Sequence, residues 1–287
     1  MDVLSDVLRT LRASGTVYFC DRLAAPWSKT FADPGAASFH QVRRGACRLA
    51  VGERRAVLGA GDLVFVGPGV EHVLDSEVPG GLPADGEDDG TLLLCGYCRF
   101  ELGGKGPSAS LFPELVVLRR ERLSERAWLA GVLDQLGTEY LSNAPGAALA
   151  VARLTEVLMV ELIRMDFGRD GRGELMRALA DPPIAAALQA LHAYPERPWT
   201  LDALARRVGL SRAGLAARFG DRVGQPMFAY LTALRVERAR ALLLDTELSL
   251  PAIAARVGYE SDVAFVKMFK RQTGITPTSW RKSGSAR

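Results

Sequence analysis

The sequence predicts an α+β protein of more than one domain, with a β-barrel first, a helical element next and an all-α domain last. Three observations support this class. Seven short apolar runs, separated by Gly, Pro and Asp, occupy residues 16–102. Two segments with helical spacing of apolar residues follow between residues 124 and 166. Near the C-terminus a short stretch occurs twice at a constant offset of 49 residues, which indicates an internal duplication.

The N-terminal region is predicted to begin with a helix and to continue as strands. Apolar residues at helical spacing predict an amphipathic helix over residues 2–12. The runs that follow have the length and the turn-rich boundaries of strands. Their ranges are 16–20, 38–42, 47–51, 55–58, 62–66, 72–74 and 91–102. Such a succession of short strands predicts a small all-β barrel or sandwich.

One turn in this region has a distinctive pattern. Gly61-Asp62 leads through an apolar strand to Pro68-Gly69 and His72, and the stretch resembles the second motif of the cupin family. His40 stands alone where the first cupin motif usually has two histidines, and Cys47 stands where it usually has glutamate. The resemblance implies that His40, Cys47 and His72 converge inside the barrel, where sulfur and two imidazoles would suit zinc or copper better than a catalytic iron. The alternative is that the histidines satisfy backbone groups while the cysteine packs in the core.

Two helices are predicted after the barrel, over residues 124–141 and 145–166. From the pattern alone, their apolar stripes are expected to cover the barrel. The Gly-rich residues that follow are typical of a linker. The sequence therefore divides into a barrel domain over 1–119, a helical element over 120–167, a linker over 168–181 and a last domain over 182–283.

Each copy of the duplicated stretch is predicted to form a short helix, a turn and a second helix. Leu201–Gly209 aligns with Leu250–Gly258. Gly209 and Gly258 fall where a tight turn requires positive φ, and the serine after each turn can cap the next helix. The apolar residues that the second helices should bury are Leu215, Phe219, Phe265 and Phe269.

A single copy of this stretch would be an ordinary αα-hairpin. Here two copies are joined by residues 226–245, which begin with proline and contain no interior helix breaker. This pattern is that of a paired helix-turn-helix, in which each second helix enters a major groove of DNA.

The C-terminal region, about residues 181–283, resembles the DNA-binding domain of the AraC/XylS family of transcription regulators. Val257–Ser261, Phe265–Lys270 and Gly274–Pro277 match the family signature. The resemblance implies double-stranded promoter DNA as a partner, a homodimer formed through the helical element, and RNA polymerase as a further partner if the protein is an activator. By position in the family motif, the residues that face bases are Arg212, Ala213, Ala216, Ala217, Asp262, Val263, Val266 and Lys267.

The N-terminal region also resembles a subgroup of AraC-type regulators with a modified cupin domain, which includes reactive-chlorine-responsive activators. Phe39-His40, Cys95-Gly96 and the segment Phe112–Arg119 carry this similarity, together with the turn that ends at His72. In that subgroup two cysteines are associated with the response to oxidants; Cys95 matches one and Cys20 approximately the other. The effector is thus expected to be an oxidant, a metal or a small molecule, sensed through Cys20, Cys95, His40 and His72.

Charge and composition support this interpretation. Residues 196–287 contain 16 Lys and Arg against 8 Asp and Glu, and such a basic domain suits contact with phosphates. The acidic N-terminus lacks a signal-peptide pattern, and we expect a cytoplasmic protein without a membrane partner.

Cys95 and Cys98 lie three residues apart, so in a strand they point to opposite faces and cannot readily chelate one ion. The alternative function is that of a cupin metalloenzyme, such as a dioxygenase or isomerase. An enzyme of this kind does not explain the C-terminal duplication. We therefore expect that the protein is not an enzyme.

Overall fold

The computed structural model describes residues 2–10, 12–78, 90–100, 113–142, 144–165 and 174–284. Within these residues the chain forms two compact units. We call the described parts of residues 13–100 and 113–165 the sandwich unit. Residues 2–12 and 174–284 form the helical unit.

The sandwich unit contains two antiparallel sheets. Its strands are β1 (Ala13–Ala24), β2 (Ser28–Phe31), β3 (Ala36–Arg44), β4 (Ala46–Val51), β5 (Arg54–Gly59), β6 (Leu63–Val66), β7 (His72–Asp75), β8 (Gly90–Phe100) and β9 (Leu115–Leu118). One sheet has the order β1-β8-β3-β6-β9 and the other the order β2-β7-β4-β5. Each predicted strand is present, whereas β2 and β9 were not predicted as strands.

The two sheets share one apolar interior. Buried residues from both sheets form a single cluster, which is typical of two sheets packed face to face. Its members are Phe19, Val42, Cys47, Leu49, Val51, Leu58, Val64, Val66, Leu74, Leu93 and Cys95.

The turn before β6 connects the sandwich to the helices that follow. Gly61 has a φ of 90°, which favours glycine. The buried carboxylate of Asp62 accepts bonds from the backbone N–H groups of Gly59 and Arg120, both at 3.0 Å, and from Arg119 Nη1 at 2.7 Å. The Gly-Asp pair therefore fixes where the chain enters its first helix after the strands.

Three helices complete the sandwich unit: α2 (Arg120–Ser124), α3 (Ala127–Ser142) and α4 (Ala147–Met165). Helix α4 lies directly on β1, since a Cβ added to Gly15 would be 2.4 Å from Thr155 Cβ. On α4, Leu158 and Ile163 are fully buried within the unit. These two residues therefore cover the sheet and are not available for a contact between copies.

The helical unit contains α1 (Val3–Thr10), α5 (Glu174–Leu179), α6 (Pro182–Ala193), α7 (Leu201–Arg207), α8 (Arg212–Val223), α9 (Met227–Asp245), α10 (Leu250–Arg256), α11 (Asp262–Thr273) and α12 (Pro277–Gly284). Helices α7–α8 and α10–α11 are the two copies of the duplication, and α9 joins them. Within the described residues, no helix is both long enough and apolar enough to cross a membrane.

The predicted domain boundaries differ from this arrangement in two respects. Helix α1 belongs to the helical unit rather than to a first domain over 1–119, because its carboxylate Asp6 is bonded to His192 and Arg238. Residues 174–179 of the predicted linker form α5. The start of that linker, residues 168–173, lies outside the described residues.

Candidate functional site

The turns of the two helix-turn-helix copies have the predicted geometry. Gly209 and Gly258 have φ angles of 71° and 82°. Ser211 Oγ accepts the N–H of Gly214 at 3.0 Å, and Ser261 Oγ accepts that of Ala264 at 3.4 Å. The local sequence thus determines where each second helix begins.

The second helices, α8 and α11, each have one buried face and one exposed face. The aromatic and aliphatic residues predicted to be buried, Leu215, Phe219, Phe265 and Phe269, are all fully buried. Seven of the eight predicted base-facing residues are exposed, namely Arg212, Ala213, Ala216, Ala217, Asp262, Val263 and Lys267. The geometry therefore leaves these side chains accessible to a groove.

Val266 differs from the other predicted contacts because it is half-buried and packs against the core of the second copy. Val263, one turn earlier, is 72% exposed. The exposed methyl groups of Val263 are of the kind that contact a thymine methyl group in the major groove.

A chain of hydrogen bonds lies in the apolar interior of the sandwich unit. His40 Nε2 and His72 Nε2 are 2.8 Å apart. His72 Nδ1 lies 2.9 Å from the carbonyl oxygen of Val70, so Nδ1 carries the proton. His72 Nε2 must then accept from His40 Nε2–H, and His40 Nδ1 is left to accept the hydroxyl of Tyr18 at 3.5 Å.

Tyr18 reaches this position because of a β-bulge. Val17 pairs with Gly96 and Phe19 with Cys95, which leaves Tyr18 as the extra residue of β1. Bulges often redirect a side chain beside a functional site. The Tyr18 ring lies 5.8 Å from the rings of both Phe31 and Tyr97, and Phe31 stacks on His72 at 5.0 Å.

Burial keeps the groups of this chain uncharged. Burial lowers the pKa of both imidazoles, and the neighbouring His72 lowers that of His40 further, to well below its ordinary value. Burial also raises the pKa of the Tyr18 hydroxyl. The site is thus polar but neutral.

The four cysteines are all buried free thiols. Cys20 opposes Leu94 and Phe19 opposes Cys95, so Cys20 and Cys95 project from opposite faces of their sheet. The expected Cys20–Cys95 switch is not assembled in this structure. Cys98 opposes Gly15 on the face that α4 covers, whereas Cys95 lies in the interior, as the spacing of the two residues predicted.

Burial also determines the chemistry of these thiols. It raises the pKa of Cys47 and Cys98 to about 12 and that of Cys95 to well above the ordinary thiol value. For Cys20, burial raises the pKa while the adjacent Arg43 acts against it, and the net direction is upward. Because the thiolate is the reactive form, these cysteines are poor nucleophiles in the folded state.

The predicted metal ligands do not form a set. Among the described residues, no group of three or more His, Cys, Asp or Glu side chains could hold a metal ion. His40 and His72 meet, but Cys47 packs in the apolar cluster. Two imidazoles are fewer ligands than a protein zinc or copper site usually has, so the expected set of His40, Cys47 and His72 is corrected to a histidine pair.

Sequence reasoning did not identify two residues of the interior site, Tyr18 and Phe31. Tyr18 reaches the interior site because of the bulge in β1. Phe31 reaches it because the short strand β2 pairs with β7, where Phe31 opposes His72. A single sequence contains no local signal for either arrangement.

Comparisons with known proteins agree with this architecture. The chain matches the cupin family over residues 2–168 and a helix-turn-helix domain family over residues 204–283. A relative from Streptomyces antibioticus, named as an AraC-like transcription regulator, is 31% identical over 98% of this chain and 99% of its own length. The RCS-specific HTH-type transcriptional activator RclR of Escherichia coli K12 is 26% identical over 98% of both chains. The solved DNA-binding domain of AdpA in complex with a target DNA is 32% identical over 37% of this chain and 96% of that chain, with a TM-score of 0.35.

Proposed function

The chain belongs to the AraC-like transcription regulators, as a cupin domain joined to a helix-turn-helix domain, and we propose that its sandwich unit senses a small uncharged effector. The observation that supports this most is the hydrogen-bonded chain of the half-buried Tyr18 and the buried His40 and His72. Buried polar groups in an apolar interior carry a desolvation cost. The longest bond of the chain, at 3.5 Å from the Tyr18 hydroxyl to His40 Nδ1, is the one that a ligand would replace most readily. Because all three groups are held neutral, an ionic ligand would meet no opposite charge.

The alternatives have less support. The buried thiols with raised pKa values do not favour an oxidant as the effector, and the lack of a third ligand beside the histidine pair does not favour a metal. We also propose that the protein is not an enzyme, since its relatives are named as regulators.

We propose that α8 and α11 contact bases through the exposed residues described above. Three of the four positions on α8 are alanines, so that helix would read the groove by methyl contact, by shape and through Arg212. Arg212 is 3.6 Å from Asp202 in an exposed ion pair, which is weak and easily exchanged for a phosphate or a base.

We propose a homodimer whose contact lies on the outer faces of α3 and α4. Trp128, Leu149 and Val157 are 47%, 63% and 44% exposed. Leu158 and Ile163 of α4 are buried within the sandwich unit and would not take part in this contact. RNA polymerase would be a further partner if the protein activates transcription.

The effector hypothesis can be tested with a reporter. Genomic fragments bound by the full-length protein are selected and placed before a reporter gene. Transcription is then measured with a library of neutral small molecules, with hypochlorite, and with zinc and copper salts. We expect a response to an uncharged molecule.

Variants link this response to the interior site. Tyr18→Phe and His72→Gln should lose the response while DNA affinity measured in vitro is kept, because both residues lie in the other unit. Tyr194→Phe, in the helical unit, is the matched control and should respond normally. A response limited to hypochlorite or to metal salts would contradict the proposal.

A further inference from the structure

An acidic residue of the N-terminal helix is buried in the helical unit. Asp6, on α1, is 3% exposed. Its Oδ2 lies 2.6 Å from His192 Nδ1, and Arg238 Nη2 lies 2.5 Å from Oδ1 and 2.6 Å from Oδ2. Both partners come from a region more than 180 residues further along the chain. Such short bonds to an ionised carboxylate are among the strong hydrogen bonds of proteins.

The bonds of Asp6 reach two different helices. His192 is on α6, whereas Arg238 is on α9. Because the carboxylate only accepts, His192 Nδ1 carries the proton, and His192 Nε2 lies 2.7 Å from the hydroxyl of Tyr230. Tyr230 is also on α9 and is 1% exposed. The Asp6 carboxylate thus bonds to α6 through His192 and to α9 through Arg238. His192 in turn contacts α9 through Tyr230.

Helix α9 is the element that connects the two helix-turn-helix copies. Near its start, the Tyr230 ring contacts the ring of Phe219 on α8 at 5.8 Å. Further along, Val236 and Ala239 on either side of Arg238 belong to the cluster around Phe265 and Phe269 of α11. Asp6 is therefore bonded to the part of α9 that packs on the second copy, and through His192 it is linked to Tyr230, which contacts the first copy.

Apolar contacts reinforce this docking. Val3, Leu4 and Val7 of α1 are buried, with exposures of 2%, 6% and 1%. The Arg12 guanidinium, just after the helix, pairs with Asp245 at the end of α9. The first strand of the sandwich unit begins at Ala13, so the segment that docks on α9 leads directly to the strand of Tyr18.

We propose that Asp6 is a positioning residue for DNA binding: α1 completes the helical unit, and Asp6 sets the orientation of α9 and thereby the spacing of α8 and α11. The proposal rests on the DNA-binding function. If the spacing is set in this way, loss of the carboxylate impairs simultaneous binding of two groove segments more than binding of one.

The test uses full-length protein and DNA selected from a random pool by the wild type. Affinity is measured for the selected site and for a half-site in which one of the two contacted segments is scrambled. Asp6→Asn should weaken binding to the whole site by about tenfold and to the half-site by less than about twofold. The slope of affinity against salt should stay the same, because no phosphate contact is removed. Asp2→Asn, at the exposed position just before the same helix, is the matched control: asparagine can still accept the N–H of Ser5, so the variant should bind both DNAs as the wild type does.

A second pair of variants tests the network. Arg238→Gln should reproduce the selective loss, and the double variant with Asp6→Asn should lose no more than either alone, since the two residues share one interaction. If the Asp6→Asn variant loses helical circular dichroism, the Tyr230→Phe variant is used in its place. Tyr230→Phe removes only one hydroxyl from the network and should show the same selective loss. Equal losses on the whole site and the half-site, or no loss on either, would overturn the proposal. Failure of the wild type to select any DNA would instead contradict the DNA-binding function itself.

Discussion

His40 Nε2 and His72 Nε2 lie 2.8 Å apart inside the sandwich unit, and one imidazole donates to the other. The pair joins strand β3 of one sheet to strand β7 of the other. It is also where the two cupin motifs identified in the sequence meet.

This pair predicts a pH dependence of stability. Burial lowers the pKa of both imidazoles in the folded state, so below about pH 6.5 the unfolded chain binds more protons than the folded one. The free energy of unfolding should therefore fall as the pH decreases from 7.5 to 5. Urea unfolding at several pH values measures this, and the His40→Gln/His72→Gln variant should show a flatter profile. An unchanged free energy of the wild type across this range would refute the prediction.

Gly96, directly after Cys95, should tolerate no side chain. A Cβ there would lie 2.5 Å from the Phe39 ring and 2.5 Å from the carbonyl oxygen of Thr16. Gly96→Ala should lower the free energy of unfolding by about 1–3 kcal/mol, the usual effect of overpacking. Gly59→Ala is the control, because nothing lies within 4 Å of its Cβ position. Equal urea midpoints for the two variants would show that the strands adjust.

The thiols should resist modification in the folded protein. Since burial raises the pKa of Cys47 and Cys98 to about 12 and that of Cys95 well above the ordinary value, little thiolate is present at neutral pH. Iodoacetamide at pH 7.5, followed by mass spectrometry, should label them only after unfolding. Cys20, beside Arg43, should react first. Rapid labelling of Cys95 in the native state would contradict this prediction and would favour an oxidant as the effector.

Lys267 is exposed on α11 and should contact a base. Lys267→Ala should reduce affinity for the selected DNA by about 1–3 kcal/mol and relax sequence preference at one position, whereas a phosphate contact would cost less. Lys282→Ala, in the last helix, is the control and should cost less than Lys267→Ala. Competition binding that shows unchanged affinity and preference for Lys267→Ala would remove this residue from the interface.

The dimer surface can be tested by comparing exposed with buried positions on α4. Leu149→Glu and Val157→Glu should weaken the dimer and leave the chain folded, because a charge would be buried between two copies. Leu158→Glu should instead unfold the sandwich unit, since this position faces the sheet. Light scattering and circular dichroism distinguish these results. Dimers that persist in both exposed variants would place the contact elsewhere.

The sequence by itself determined the features that depend on neighbouring residues. Apolar runs separated by Gly, Pro and Asp predicted seven of the nine described strands, and the repeated pattern of apolar residues predicted the two helix-turn-helix copies. Gly209 and Ser211 fixed the first turn and the start of α8, because positive φ and side-chain capping are local properties.

Tertiary structure decided which distant groups meet. The bulge at Tyr18 brings its hydroxyl to His40, and the same register places Cys20 and Cys95 on opposite faces of the sheet. Cys47, expected beside the two histidines, packs in the apolar cluster instead. Asp6 appeared in the sequence only as a polar residue of a short helix, yet it is buried against His192 and Arg238. Contacts between residues so far apart depend on how whole elements pack, and local periodicity contains no information about that packing.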